Sequence, residues 1–347
     1  MICELNKDFE FYIFCSSKDV DSTDISVKAL NTWIDFELNT KVWYQYPSNS
    51  FKNINDQFKK IKPDMLYIVG LFSFEYNIYP YFILKSRLKI LSVRGMLHPG
   101  ALSQKPLKKK LFLSLFKILL DRKCTIFQVT DKIEKEFLYQ AMGKDVKVKI
   151  AGNFPKINPQ WENVKSKHGT LRILTVALIS PMKNHKLILQ ALKEIDIQLT
   201  YDIVGAVKDI DYWNECLAII ETMPSNITVH IHGEMPPSSL DDFYQNADIF
   251  VMPSESENYG HAIFEALSSG LPVITSFNTP WNKLIENKAG INIGLDKNEI
   301  KKSILYFAEM PDHDFSTWAV SARNYALSNY NHEELMSSYQ QLFLINQ

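Results

Sequence analysis

Short apolar runs alternate with longer amphipathic stretches along nearly the whole chain. Residues 9–15, 42–46, 65–69, 90–93, 126–129 and 146–150 have the length and composition of strands. Residues 54–61, 80–85, 106–120 and 133–142 carry helical spacing between several of them. The strand runs are continuously apolar, which predicts a parallel sheet covered on both faces. A polar segment at 153–170 has little periodicity and reads as a linker. The alternation then restarts. Strands are predicted at 171–177, 199–204, 227–232, 248–252 and 273–275, with helices at 186–192, 212–221, 239–246 and 261–269. Two last helices are predicted at 315–327 and 333–345.

This pattern predicts an α/β protein with two doubly wound, Rossmann-like domains, at 1–152 and 171–314. The terminal helices of 315–347 are expected to pack back toward the first domain. A chain of 347 residues is long enough for two such cores. Open parallel sheets bind ligands at the carboxyl ends of their strands, and two in series imply a cleft between them. Chemistry-bearing residues are therefore expected just after strands.

Composition narrows the class. The formal net charge is −1, which excludes a global field that would draw nucleic acid. Four cysteines, Cys3, Cys15, Cys124 and Cys216, are scattered without a CxxC pair and read as reduced thiols of a cytoplasmic protein. The opening residues have no apolar core of signal-peptide length. No apolar run reaches the roughly 18 to 20 residues that span a bilayer. The eight histidines form no HxxxH or HExxH, so no zinc site is indicated.

The most informative segment runs from Met252 to Thr275. A buried strand ends at Met252; a polar turn, a helix, Gly270-Leu271-Pro272 and another strand follow. Gly260 permits close backbone approach to a ligand. The amides of Asn258, Tyr259, Gly260 and His261 precede a helix, where N–H groups attract an anion. Glu257 stands before that helix and Glu265 inside it. Two incidental glutamates on a helix are the bland alternative. A second block, Thr175 to His185, lies between a strand and a helix at the start of the second domain.

With its Pro-Ser turn and its EALxxGLPVI run, the segment resembles glycosyltransferase family 4, whose fold is GT-B. The hallmark of that family is a pair of glutamates with seven residues between them, matched by Glu257 and Glu265. The resemblance implies that Glu257 contacts the donor sugar and that Glu265 holds the nucleotide ribose. It implies that the turn amides meet sugar and diphosphate, that Lys183 neutralises phosphate and that Gly205 lines the donor site. It further implies retention of anomeric configuration without a metal or other cofactor. Where the family carries Gly-Arg, this chain has Ala177 and Leu178, so one of two cations is lost; Lys208 is a candidate replacement. Asn278 to Trp281, together with Glu257 to His261, resembles a subgroup in bacterial surface-polysaccharide pathways. Trp281 has either a pocket role or a loop-packing role.

Weaker signals remain open. Arg94 and His98 follow a strand of the first domain and are acceptor-side candidates, with a structural histidine as the alternative. Asp209 and Asp211 look like a metal-binding DxD, but aspartate before a helix also caps it. The stretch 105–120 is basic and amphipathic: either a surface resting on anionic lipid near a lipid-linked acceptor, or a buried helix with a solvated basic start.

The family opens with a strand, a Gly-rich loop and a helix. No Gly-rich loop stands near the start here, and Glu4 to Phe9 resembles the end of that first helix, so the first domain is expected to be short by one βα unit. The expected function is transfer of a sugar from a nucleotide-sugar donor to a glycan or lipid-linked glycan at the inner face of the cytoplasmic membrane, in surface-polysaccharide synthesis. The alternatives are a non-catalytic nucleotide-sugar-binding partner of another glycosyltransferase and a nucleotide-sugar epimerase.

Overall fold

A computed structural model describes residues 1–18, 29–46, 48–102, 106–157 and 170–344. Most of the expected linker, 158–169, lies outside the described residues. The chain divides into two compact units: Met1–Phe154 with His332–Gln347, and Pro155–Asn331.

Among the described residues, the first unit contains two sheets. Strand β1 (Phe11–Ser16) pairs in parallel with β3 (Thr40–Gln45), and β3 pairs antiparallel with β2 (Trp33–Glu37). Strands β4 (Met65–Val69), β5 (Leu88–Ser92), β6 (Thr125–Val129) and β7 (Lys147–Ile150) form a parallel sheet in sequence order. The expectation of one parallel sheet is thus corrected. β2 escapes a search for apolar runs because Asp35 and Glu37 interrupt it. It lies at the edge of its sheet and has no buried position. β5 and β6 are buried at every position and were readable for that reason.

Helix Lys132–Met142 starts where Asp131 accepts a hydrogen bond from the Glu134 amide, an N-cap that satisfies one of the free N–H groups of the first turn. The last helix, His332–Phe343, buries Tyr339, Leu342 and Phe343 against Leu5, Leu88, Ile90 and Ile126. Tyr339 also donates its hydroxyl to the Gly152 carbonyl at 2.9 Å.

Among the described residues, the second unit has one six-stranded sheet, with every pairing parallel. In chain order its strands are β8 (Leu171–Val176), β9 (Leu199–Val204), β10 (Ile227–Gly233), β11 (Ile249–Met252), β12 (Val273–Ser276) and β13 (Gly290–Ile293). In space they run β10-β9-β8-β11-β12-β13. Side chains alternate between two cores: Ile249 and Val251 of β11 join one, Phe250 and Met252 the other. Burial of both faces explains why these strands read as unbroken apolar runs. β13 was not expected; it is four residues long, half-exposed in the middle and opened by a glycine.

Helix Asp312–Ser328 corrects the expectation for the terminal segment. It belongs to the second unit, where Phe315 and Trp318 enter one core and Ala322 and Ala326 the other. Of the two terminal helices, His332–Phe343 belongs to the first unit and Asp312–Ser328 does not.

Candidate functional site

The strand order of the second unit sets β8 beside β11, and the chain leaves these two in opposite directions across the sheet. That is the switch point at which open α/β sheets take ligands. The loops following β8 and β11 carry the two sequence blocks singled out above.

The loops are tied together by backbone and side chain. The Glu255 amide donates to the Met182 carbonyl at 2.9 Å. Asn184 Nδ2 donates to the Pro253 carbonyl at 2.9 Å. Asn184 adopts a left-handed conformation, φ 56°, which ends the short 3-10 turn Pro181–Lys183 and opens helix His185–Leu192. Asparagine tolerates that conformation better than most residues. Lys183 is thereby presented toward the second loop, where its Nζ forms an ion pair with Glu257 Oε1. Both side chains keep some solvent access, 20% for Lys183 and 12% for Glu257, so a ligand can reach them. His185, next to Lys183, is fully buried. Neither of its ring nitrogens has a hydrogen-bond partner. Burial, reinforced by the Lys183 charge, pushes its pKa down to about 4, so the ring is neutral at pH 7.

The turn after Glu257 leads into helix His261–Ser268 through Gly260, whose φ of 73° favours glycine. A Cβ there would meet Ile263 Cδ1 at 3.1 Å and Trp281 Nε1 at 3.4 Å. Trp281 is buried, donates Nε1–H to the Tyr259 carbonyl at 2.6 Å and meets the Tyr259 ring edge-on at 5.6 Å. These contacts assign Trp281 to loop packing. Asn278 supports the same loop from below, its carbonyl accepting from the Glu257 amide at 3.4 Å.

Glu265 lies inside the helix and does not join the Lys183–Glu257 pair. It accepts a hydrogen bond from the Tyr244 hydroxyl at 3.1 Å. Burial pushes its carboxyl up, opposed by the Tyr244 hydrogen bond and by Lys156. Tyr244 was missed in the sequence, where nothing local marks it as a carboxylate partner.

Other candidates are engaged in structure. At Gly205, φ is 149°, and an added Cβ would stand 1.9 Å from the Ala177 carbonyl oxygen. Its amide donates to Gly233 at 2.8 Å. The position therefore demands glycine for close approach of β8 and β9, and its one N–H is taken by Gly233. Arg94, also left-handed at φ 47°, uses all three guanidinium nitrogens within the first unit. Nε donates to Ser92 Oγ at 3.0 Å, Nη1 to Asn153 Oδ1, and Nη2 to the Tyr67 hydroxyl at 3.5 Å. His98 accepts the Gly100 amide on Nδ1 at 3.1 Å and packs edge-on against Phe137. Both residues close the loop after β5. Glu134, buried and unremarked in the sequence, holds that loop too, accepting from the Gly95 amide and from Thr130. Asp209 caps helix Ile210–Ile220, accepting from the Tyr212 amide at 3.0 Å. Among the described residues, no group of three His, Cys, Asp or Glu is placed to hold a metal ion, and no helix is long and apolar enough to cross a membrane.

Residues 157–314 match the family model described as glycosyl transferases group 1. The chain is 24% identical over 273 residues to alpha-monoglucosyldiacylglycerol synthase of Streptococcus pneumoniae, covering 76% of this chain and 58% of that one. It spans between 16% and 58% of the length of the curated relatives it matches. Sucrose-phosphate synthase from Thermosynechococcus elongatus superimposes with a TM-score of 0.74 at 15% identity, covering 99% of this chain and 92% of that one. Anabaena Alr3699/HepE, solved in complex with UDP and glucose, gives 0.65 at 17% identity over 88% and 85%. The fold is that of GT-B glycosyltransferases.

Proposed function

We propose that this chain transfers a sugar, with retention of configuration, from a nucleotide-sugar donor to a glycan or lipid-linked glycan acceptor, as a step in surface-polysaccharide synthesis. The observation that carries the reading is the Lys183–Glu257 pair, held between the loops after β8 and β11 at the sheet's switch point.

The residues suit this chemistry. Bond cleavage at the anomeric carbon leaves charge on the departing nucleoside diphosphate, which needs a cation and N–H donors. Lys183 supplies the cation, and the turn amides of Asn258 to His261 the donors. Glu257, released from Lys183 when phosphate arrives, accepts hydrogen bonds from sugar hydroxyls, since a carboxylate binds two at once. Glu265, set by Tyr244, accepts from the ribose. Leu178, half-exposed where the resembled family has arginine, contributes no charge. Lys208 takes that part: its backbone amide donates to the Ile179 carbonyl at 3.0 Å, which brings this exposed lysine beside Leu178. UDP is the nucleotide to test first, since the HepE neighbour was solved with it.

Leu178 also favours a second reading, a donor-binding subunit without catalysis of its own. Incubation of the chain with UDP-sugars and lipid-linked acceptor separates the two. Transfer that is lost in Glu257→Ala supports the enzyme. Donor binding without transfer, restored only by a second glycosyltransferase, supports the subunit.

A further inference from the structure

Helix Pro106–Leu119 turns apolar side chains to two opposite sides. Leu113 and Phe116 are buried in the core of the first unit. On the other side Leu107, Leu111, Leu115, Ile118 and Leu119 stand in solvent, from 54% exposed at Leu119 to 83% at Leu107. Steps of four, four and three residues bring the first four into one stripe along the helix. Over 14 residues the stripe is about 20 Å long. Single exposed leucines need no explanation, but four leucines and an isoleucine on one helix face do.

The surroundings of the stripe identify its occupant. Lys108, Lys110 and Lys117 are exposed on the same helix, which contains no aspartate or glutamate. Lys109 is spoken for: its Nζ donates to the Ala101 carbonyl at 2.6 Å and lies 5.1 Å from the Phe72 ring centre. The whole chain carries a formal charge of −1, so this positive charge is local. A second copy of the chain would set lysine against lysine across such a face. We propose that the stripe seats the first unit on an anionic lipid bilayer. The leucines and Ile118 enter below the headgroups, while the lysine ammonium groups stay level with the phosphates. This surface does not depend on the donor chemistry, which belongs to the second unit.

The test is co-sedimentation of the full chain with vesicles of phosphatidylglycerol and phosphatidylcholine, or of phosphatidylcholine alone, without donor or acceptor. The protein is expected to partition at least about tenfold more strongly onto the anionic vesicles, and raising the salt to about 0.5 M should weaken this. Leu111→Glu with Leu115→Glu should cut the partition by about tenfold or more, without changing thermal unfolding, since both side chains are exposed. Lys108→Gln should cost about fivefold on anionic vesicles only. Equal partition of wild type and the leucine variant would overturn the proposal. So would failure to bind anionic vesicles, or a lipid-free dimer that the leucine substitutions dissolve.

Discussion

Lys183 and Glu257 are 74 residues apart in the chain, yet their side chains form an ion pair between the loops after β8 and β11. In the proposed reaction the two charges part, the ammonium to phosphate and the carboxylate to sugar. Opposite effects on nucleotide binding follow. Glu257→Gln frees Lys183, so UDP without sugar should bind about threefold tighter or better, while transfer falls about a hundredfold. Lys183→Ala should weaken UDP and lower kcat/KM by about 100- to 1000-fold. Calorimetric titration and initial rates distinguish the variants; UDP weakened equally by both would contradict this division of roles.

Glu265 gives the stability profile a pH signature. Its folded carboxyl titrates above the usual glutamate value because of burial. The folded state therefore binds more protons between the two values. The resulting stability is full below the ordinary pKa of about 4.3 and is lost as pH rises through the raised one. Glu265→Gln should gain stability relative to wild type on going from pH 4 to pH 7. Tyr244→Phe removes the hydrogen bond that favours the carboxylate, so the folded pKa climbs further and about 1.5–3 kcal/mol is lost at pH 7. Urea unfolding across that range checks both signs.

Much of this site could be read from the chain because it depends on local order. The run from Met252 to Thr275 encodes strand, turn, helix and strand in consecutive residues, and the spacing of Glu257 and Glu265 survives in any conformation of that unit. The partners of these residues could not be read. Tyr244 reaches Glu265 from another helix, and Asn153 reaches Arg94 across 59 positions. Neither contact leaves a periodic trace. The hydrogen bonds of Arg94 to Ser92 and Tyr67, and of His98 to the Gly100 amide, could not be read either, because a sequence lists side chains without their partners. β2 escaped because its charges face water.

Two glycines at strand ends should respond differently to alanine. At Gly205 the new Cβ would strike the Ala177 carbonyl at 1.9 Å, whereas at Gly233, φ 68°, it would meet nothing within 4 Å. Gly205→Ala should cost about 3 kcal/mol or more, from both clash and strain. Gly233→Ala should cost about 1–2 kcal/mol, the left-handed penalty alone. Equal losses in urea unfolding would show that the close approach of β8 and β9 is not what Gly205 serves.

Trp281 is a positioning residue for the Glu257–Gly260 turn. Trp281→Phe keeps a ring but loses the bond to the Tyr259 carbonyl, and is expected to cost about 1 kcal/mol of stability. If the turn positions the donor, this variant raises the donor KM and lowers kcat together. A stability loss with unchanged kinetics would leave Trp281 a packing residue only.

The most direct test of the donor site is a thermal-unfolding panel on wild type and Glu265→Ala with UDP, GDP, CMP and their sugar conjugates. A ligand at about 100 times its dissociation constant adds roughly 2.7 kcal/mol to folded stability, which a melting curve resolves. The account predicts a shift with one nucleotide class in the wild type and its loss in the variant. Absence of a shift with every nucleotide, or a shift of equal size in Glu265→Ala, would contradict it.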